Sequence, residues 1–167
     1  MKKLILITGP MGVGKTTIGK RVCDRLGRAA FIDGDWCLDI HPFIGNRETK
    51  DMAIDNILHM VKNYAACSEC DSVLVSWVMS ENTVRKITSG ASGLSFATYS
   101  FVLTCSREAL IDRWKKDDSA EWRNDDELLG HSIESIDEYN SRSGPHIIDT
   151  SDLTIDKTVE RIIEALM

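Results

Sequence analysis

The sequence predicts a three-layer α/β fold: a central parallel sheet of five strands, helices on both faces, and a helical lid over the ligand edge. Three observations predict it. Short apolar, β-branched runs alternate with helix-length amphipathic stretches along the 167 residues, as in a parallel sheet joined by helical crossovers. The first run feeds a glycine-rich loop that opens a helix. No linker, repeat or low-complexity stretch divides the chain, so residues 1–167 read as a single domain.

Each element has its own signal. Lys3-Leu4-Ile5-Leu6-Ile7-Thr8 is the first strand, and Ile18, Val22 and Leu26 recur at helical spacing after the glycine-rich loop. Ala29 to Asp33 reads as the second strand. A long helix follows from about Thr49 to Cys67, with Ala53, Ile57, Met60, Val61 and Tyr64 as its apolar stripe. Ser72 to Trp77 is a buried strand by its continuous β-branched and aromatic content. A short helix over 80–89 ends near Gly90, and Tyr99 to Thr104 is the fourth strand. Ser106 is a good N-cap for a helix running through Asp118. A polar stretch to about Asp126 precedes a helix ending at Tyr139, and this places the lid at approximately 115–127. Pro145 to Asp149 gives the last strand; Leu153, Val159, Ile162, Ile163 and Leu166 mark the closing helix.

The glycine-rich loop carries the chemistry. Gly9-Pro10-Met11-Gly12-Val13-Gly14-Lys15-Thr16-Thr17 fits Gly-x-x-x-x-Gly-Lys-[Ser/Thr] at every fixed position, the pattern of a phosphate-cradling P-loop. Glycines let the backbone turn so that successive N–H groups surround one anion. The helix opening at Lys15 adds its positive N-terminal end to the same site. The Lys15 ammonium can reach the β- and γ-phosphates, and the Thr16 hydroxyl can bind Mg²⁺. Strand, loop and helix in this order imply a three-layer P-loop NTPase that binds the polyphosphate of ATP.

Ligands of such sheets bind beyond the carboxyl ends of the strands, where two further features fall. Asp33-Gly34-Asp35 ends the second strand. One carboxylate could hold Mg²⁺ through water while the other orients or deprotonates an acceptor hydroxyl; a plain strand-ending turn is the competing explanation. Arg113 and Arg123 lie in the helix and polar flap of the lid region. Guanidiniums delivered by a closing lid stabilise the charge of phosphoryl transfer, against the alternative of a solvated helix end.

Bulk properties exclude several classes. With 20 Lys and Arg against 26 Asp and Glu, the net charge of −6 leaves no basic surplus for a nucleic-acid backbone. No apolar run approaches the roughly 20 residues of a membrane span. The five cysteines, Cys23, Cys37, Cys67, Cys70 and Cys105, are scattered and odd in number, which fits free thiols in the cytoplasm. Cys67-Ser68-Glu69-Cys70 stands alone without a second metal-ligand pair, so a helix-to-strand junction is expected there.

The loop, Phe31-Ile32-Asp33-Gly34-Asp35, the Leu110-x-x-Arg113 helix and Ile148-Asp149-Thr150-Ser151 together resemble the small P-loop kinases of metabolites and nucleotides, shikimate and gluconate kinases above all. The resemblance covers most of the chain. It implies that Asp33 supports Mg²⁺, that Asp35 contacts the acceptor, and that the stretch around Thr150 passes near the adenine. The chain departs from those families. Ser76-Trp77-Val78-Met79 replaces a glycine-rich turn, Leu38-Asp39-Ile40-His41-Pro42-Phe43 carries two residues more than a Leu-His-Pro element, and the third strand lacks a terminal Asp. Trp36, His41, Phe43, Trp77 and Met79 are expected to form an apolar, aromatic acceptor pocket.

The leading expectation is an ATP- and Mg²⁺-dependent kinase acting on a small hydroxyl metabolite, without nucleic-acid or membrane partners, as a monomer or homodimer. A nucleoside monophosphate kinase is the alternative within that class, weakened because residues 31–60 contain only Arg47 among arginines. A module that senses ATP without phosphorylating a metabolite is the alternative outside it. A GTPase lacks support: no Asn-Lys-x-Asp motif is present.

Overall fold

The computed structural model describes residues 1–117 and 125–167. Strand β1 (Lys2–Thr8) sits at the centre, between β3 (Ser72–Ser76) and β4 (Phe96–Thr104); β2 (Ala29–Asp33) and β5 (His146–Asp149) form the edges. The order is β2-β3-β1-β4-β5 and every pairing is parallel. Leu4 and Leu6 point into one core layer, Ile5 and Ile7 into the other. A central strand buried on both faces has no polar side, which is why its sequence is a continuous apolar run.

Helices α2 (Arg47–Ala66) and α3 (Glu81–Gly90) bury Ile54, Ile57, Val61 and Ile87 against the Leu4 face. Helices α1 (Lys15–Leu26), α4 (Arg107–Lys116), α5 (Asp126–Asn140) and α6 (Ile155–Ala165) contribute Ile18, Leu110, Ile136 and Ile162 to the Ile5 face. The three-layer expectation is met, with all five strands found.

The differences from the sequence reading have local causes. Strand β4 begins at Phe96 rather than Tyr99 because it pairs with β1 from Lys2↔Phe96 onward, and that pairing overrides the weak pattern of its first residues. Helix α2 begins at Arg47 because Asn46 caps it. Its side chain accepts from Thr49 N while the Thr49 hydroxyl accepts from Asn46 N. A 3-10 turn, Trp36–Leu38, follows β2 without a periodic signal in the sequence. The Cys67–Cys70 stretch is the helix-to-strand junction, and all five cysteines are free. Burial pushes the Cys23 thiol up to about 12, so it stays protonated and inert. Among the described residues no helix is long and apolar enough to cross a membrane.

The expected lid, 115–127, lies largely outside the described residues, and with it Trp122 and Arg123.

Candidate functional site

The site is assembled at the carboxyl edge of the sheet. Beyond Thr8 the backbone passes through positive φ at Gly9 (147°), Gly12 (84°) and Gly14 (105°), which wraps the loop before Lys15 starts α1. At Gly9 the loop also presses on the neighbouring strand: a Cβ there would stand 2.1 Å from the Leu103 carbonyl oxygen. Only glycine fits. The Lys15 ammonium donates to Gly9 O at 3.0 Å and Pro10 O at 2.8 Å. It therefore lies folded over the loop it is to serve. Thr16 and Thr17 remain exposed in the first turn of α1.

Two tethers hold the loop from outside. The Ser132 hydroxyl of α5 donates to Met11 O at 2.6 Å. Arg113 of α4 donates to Val13 O at 3.2 Å, to the Thr150 hydroxyl at 2.9 Å and to Thr150 O at 2.6 Å. Thr150 in turn donates to Thr104 O at 2.8 Å. Arg113 thus binds the phosphate loop to the segment following β5, so its charge stands on that side of the cleft. Ser151 continues the same region: its hydroxyl accepts from Ser106 N at 2.7 Å and donates to Asp149. That hydrogen bond and the one from Ser151 N hold the Asp149 carboxyl below its usual range.

On the other side of the loop stands the acidic pair. The Thr16 hydroxyl donates to Asp33 Oδ2 at 3.4 Å, and Asp33 Oδ1 accepts from Asp35 N at 3.1 Å. Asp35 Oδ1 accepts from the Trp77 indole N–H at 3.0 Å. Gly34 makes that grip possible, because a Cβ on it would lie 2.1 Å from Trp77 Cγ. Burial, and secondarily the Asp33 charge, raise the Asp35 carboxyl above its ordinary value; Lys15 and the Trp77 hydrogen bond pull the other way. Burial and the same two carboxylates keep the Cys37 thiol protonated.

The oxygen donors of Thr16 and Asp33 fit Mg²⁺. This ion keeps several waters and is held by one or two protein oxygens plus substrate phosphates rather than by a full protein cage. Among the described residues no group of three or more His, Cys, Asp or Glu could hold a metal. At the end of β3, where the usual Asp is missing, Ser76 pairs with both Ile7 and Asp33, and its hydroxyl is buried without a partner.

The sequence pattern of the AAA domain family matches residues 5–135. This chain belongs to that family. A 35-residue stretch is 49% identical to shikimate kinase of Psychrobacter cryohalolentis, covering 21% of this chain and 18% of that protein. This stretch spans under a fifth of the relative's length. A sugar kinase from Janibacter sp. HTCC2649 superposes with a TM-score of 0.77 at 14% identity, over 99% of this chain and 95% of the other. The APS kinase CysC of Mycobacterium tuberculosis, in complex with AMPPNP and APS, superposes at 0.72 and 17% identity, over 99% and 97%. The fold is that of the small P-loop kinases.

Of the expected site residues, the structure gathers residues 9–17, Asp33, Asp35, Arg113 and Thr150 along one edge. Arg123 falls outside the described residues. Two expectations for the acceptor pocket are corrected. Met79 is fully buried and cannot line an open pocket. Its backbone is gripped instead: its N–H donates to the Thr8 hydroxyl, and its carbonyl accepts from Thr8, Tyr139 and Arg142. Trp77 is also buried, packed on Gly34 rather than open to a ligand. Ser132 and Arg142 went unnoticed in the sequence. Both are single polar positions on or just after a helix rich in polar residues, and nothing in their spacing marks them.

Proposed function

We propose that this chain is an ATP- and Mg²⁺-dependent phosphotransferase that moves the γ-phosphoryl group to a hydroxyl of a small acceptor. The observation carrying this reading is the turn Asp33-Gly34-Asp35. One carboxylate meets the metal-binding hydroxyl of the P-loop, and the other is held two residues away by an indole N–H with its proton affinity raised. A carboxylate that takes up a proton more readily than a free Asp suits general-base work.

The chain's own groups have these tasks. The amides of residues 9–16 and the head of α1 take the β- and γ-phosphate oxygens, and Lys15 swings from Gly9 O and Pro10 O onto them. Thr16 and Asp33 are the residues that would hold Mg²⁺, the hydroxyl directly and the carboxylate through water. Bound Mg²⁺ would neutralise charge between the β- and γ-phosphates. Asp35 accepts the acceptor's hydroxyl proton as the new O–P bond forms. The bond from phosphorus to the β,γ-bridging oxygen breaks, and ADP leaves with that electron pair. Arg113 and Thr150 fix the nucleotide side of the loop, with the segment around Thr150 alongside the adenine. Arg113 and Arg123, the latter outside the described residues, are the candidates for the charge of the transferring group. Such an ATP consumer belongs in the cytoplasm.

The test is ADP release and product formation, followed by ³¹P NMR, with Mg-ATP and a broad panel of hydroxyl metabolites. Transfer that vanishes in Lys15→Ala and Asp35→Asn is the expected result. Tight Mg-ATP binding with no transfer to any acceptor would favour a sensing module instead.

A further inference from the structure

The phosphate loop is surrounded by committed cations, but the two loops that flank Asp35 have none. Residues 33–46 and 76–84 contain Asp33, Asp35, Asp39 and Glu81 and not one Lys or Arg. With Asp33 assigned to the metal, three carboxylates remain. Asp39 is accompanied only by His41, at 3.0 Å. The next cations along the chain stand on α2 and α3: Arg47 and Lys86 both turn to Asp51, at 3.8 and 2.5 Å, and Arg85 is exposed one helical position before Lys86, outside both loops. Arg142 lies nearby beneath Met79, but it is buried, donates to Met79 O and Glu138, and stacks 4.0 Å over the Tyr139 ring.

The same two loops expose apolar surface. Trp36 is 82% exposed, Phe43 73%, Ile44 46% and Val78 42%. These four are among only nine large apolar side chains exposed in the described residues, and two of the remaining five are the chain ends Met1 and Met167. Trp36 directly follows Asp35, and Val78 directly follows the tryptophan that grips it. Trp36 thus adjoins Asp35 in the chain, and Phe43 stands further along the same loop. Scattered apolar residues on a surface need no explanation, but a group of them beside a reactive carboxylate marks a ligand surface.

We infer that the acceptor carries no anionic group, is neutral or cationic, and lays a flat or apolar face on Trp36 and Phe43 while its hydroxyl meets Asp35. This rests on the phosphotransferase reading above and narrows its substrate class. A carboxylate or phosphate on the acceptor meets like charge with no cation in these loops to offset it. An ammonium or an uncharged ring meets complementary carboxylates and ring faces instead.

The experiment compares matched acceptors with Mg-ATP: aryl alcohols, amino alcohols, aldonic acids and nucleoside 5′-monophosphates. The expected result is a kcat/KM for the uncharged or cationic compounds at least about tenfold above that of the anionic ones. The advantage of amino alcohols should shrink as salt is raised. Trp36→Ala and Phe43→Ala should each raise the acceptor KM by about tenfold while kcat changes far less. Both side chains are exposed, and an unchanged melting temperature verifies the fold. Equal or better turnover of an aldonic acid or a nucleotide overturns the inference, as does an acceptor KM indifferent to both substitutions. Should no compound release ADP, saturation-transfer NMR of the aryl and amino alcohols on the Mg-ADP complex decides instead, and absence of binding overturns it. Failure of the parent reading looks different. There, the compounds bind at Trp36, yet Lys15→Ala and Asp35→Asn leave ADP release as it was.

Discussion

The phosphate loop and the loop after β2 share one edge of one sheet, yet they are built in opposite ways. Around the first, polar contacts converge on the loop's own carbonyls: Lys15 onto Gly9 and Pro10, Ser132 onto Met11, Arg113 onto Val13. Around the second, Trp36 and Phe43 stand open and an indole N–H steadies the Asp35 carboxylate. A polyphosphate presents the same shape to every enzyme that uses it, so its cradle can be prebuilt and costs little reorganisation on binding. The acceptor differs from protein to protein. Its side of the cleft is where a shared fold hosts a particular chemistry.

The largest effect should come from the cradle. Lys15→Ala removes the ammonium proposed to reach the phosphates, and steady-state kinetics should show kcat/KM reduced by about 10³-fold. On the acceptor side, Asp35→Asn should lower kcat by about 10²- to 10⁴-fold while calorimetry finds Mg-ATP affinity little changed. A similar loss of affinity would mean that the two halves are not separate.

Asp35→Asn sharpens the contrast in a second way. Because the folded protein raises the Asp35 carboxyl, the native state favours its protonated form. That contribution is fully present below the unfolded value of 3.8 and is lost as pH rises through the folded value. An asparagine keeps an acceptor for Trp77 without the charge. The substituted protein should therefore melt higher than the wild type at neutral pH, with the difference fading below 3.8. Asp149, held low by Ser151, has the opposite sign: its contribution is present above 3.8 and falls away with acid.

Smaller effects follow from packing. Gly34→Ala drives a methyl into the Trp77 ring, which should cost about 1–3 kcal/mol in urea unfolding and loosen the hold on Asp35. Thr150→Val leaves an Arg113 N–H and the Thr104 carbonyl each without one partner, which should cost about 1–2 kcal/mol. That loss should appear as a raised KM for ATP, not for the acceptor.

What could be read from the sequence follows the same division. The loop, its helix and the five strands were legible because each has a local cause: glycine torsions, a fixed lysine position, apolar runs buried on both faces. The place of Asp33 and Asp35 at the carboxyl edge of the sheet was legible because Asp33 ends a strand and Asp35 follows two residues on. The role of Trp77 was not. Its sequence neighbours say only that a strand is ending, and its bond to Asp35 spans 42 residues. Met79 was misplaced for the same reason, since its burial is decided by Thr8, Tyr139 and Arg142 from three other parts of the chain. Contacts that depend on which strands lie side by side leave no periodic trace.

The central claim is that residues 9–16 and Lys15 capture the tail of Mg-ATP. Titration calorimetry of Mg-ATP into the wild type and Lys15→Ala tests it most directly. Saturable one-to-one binding that requires magnesium and is weakened by about tenfold or more in the variant is the predicted result. No heat of association in the wild type, or equal affinity in the two proteins, would contradict it.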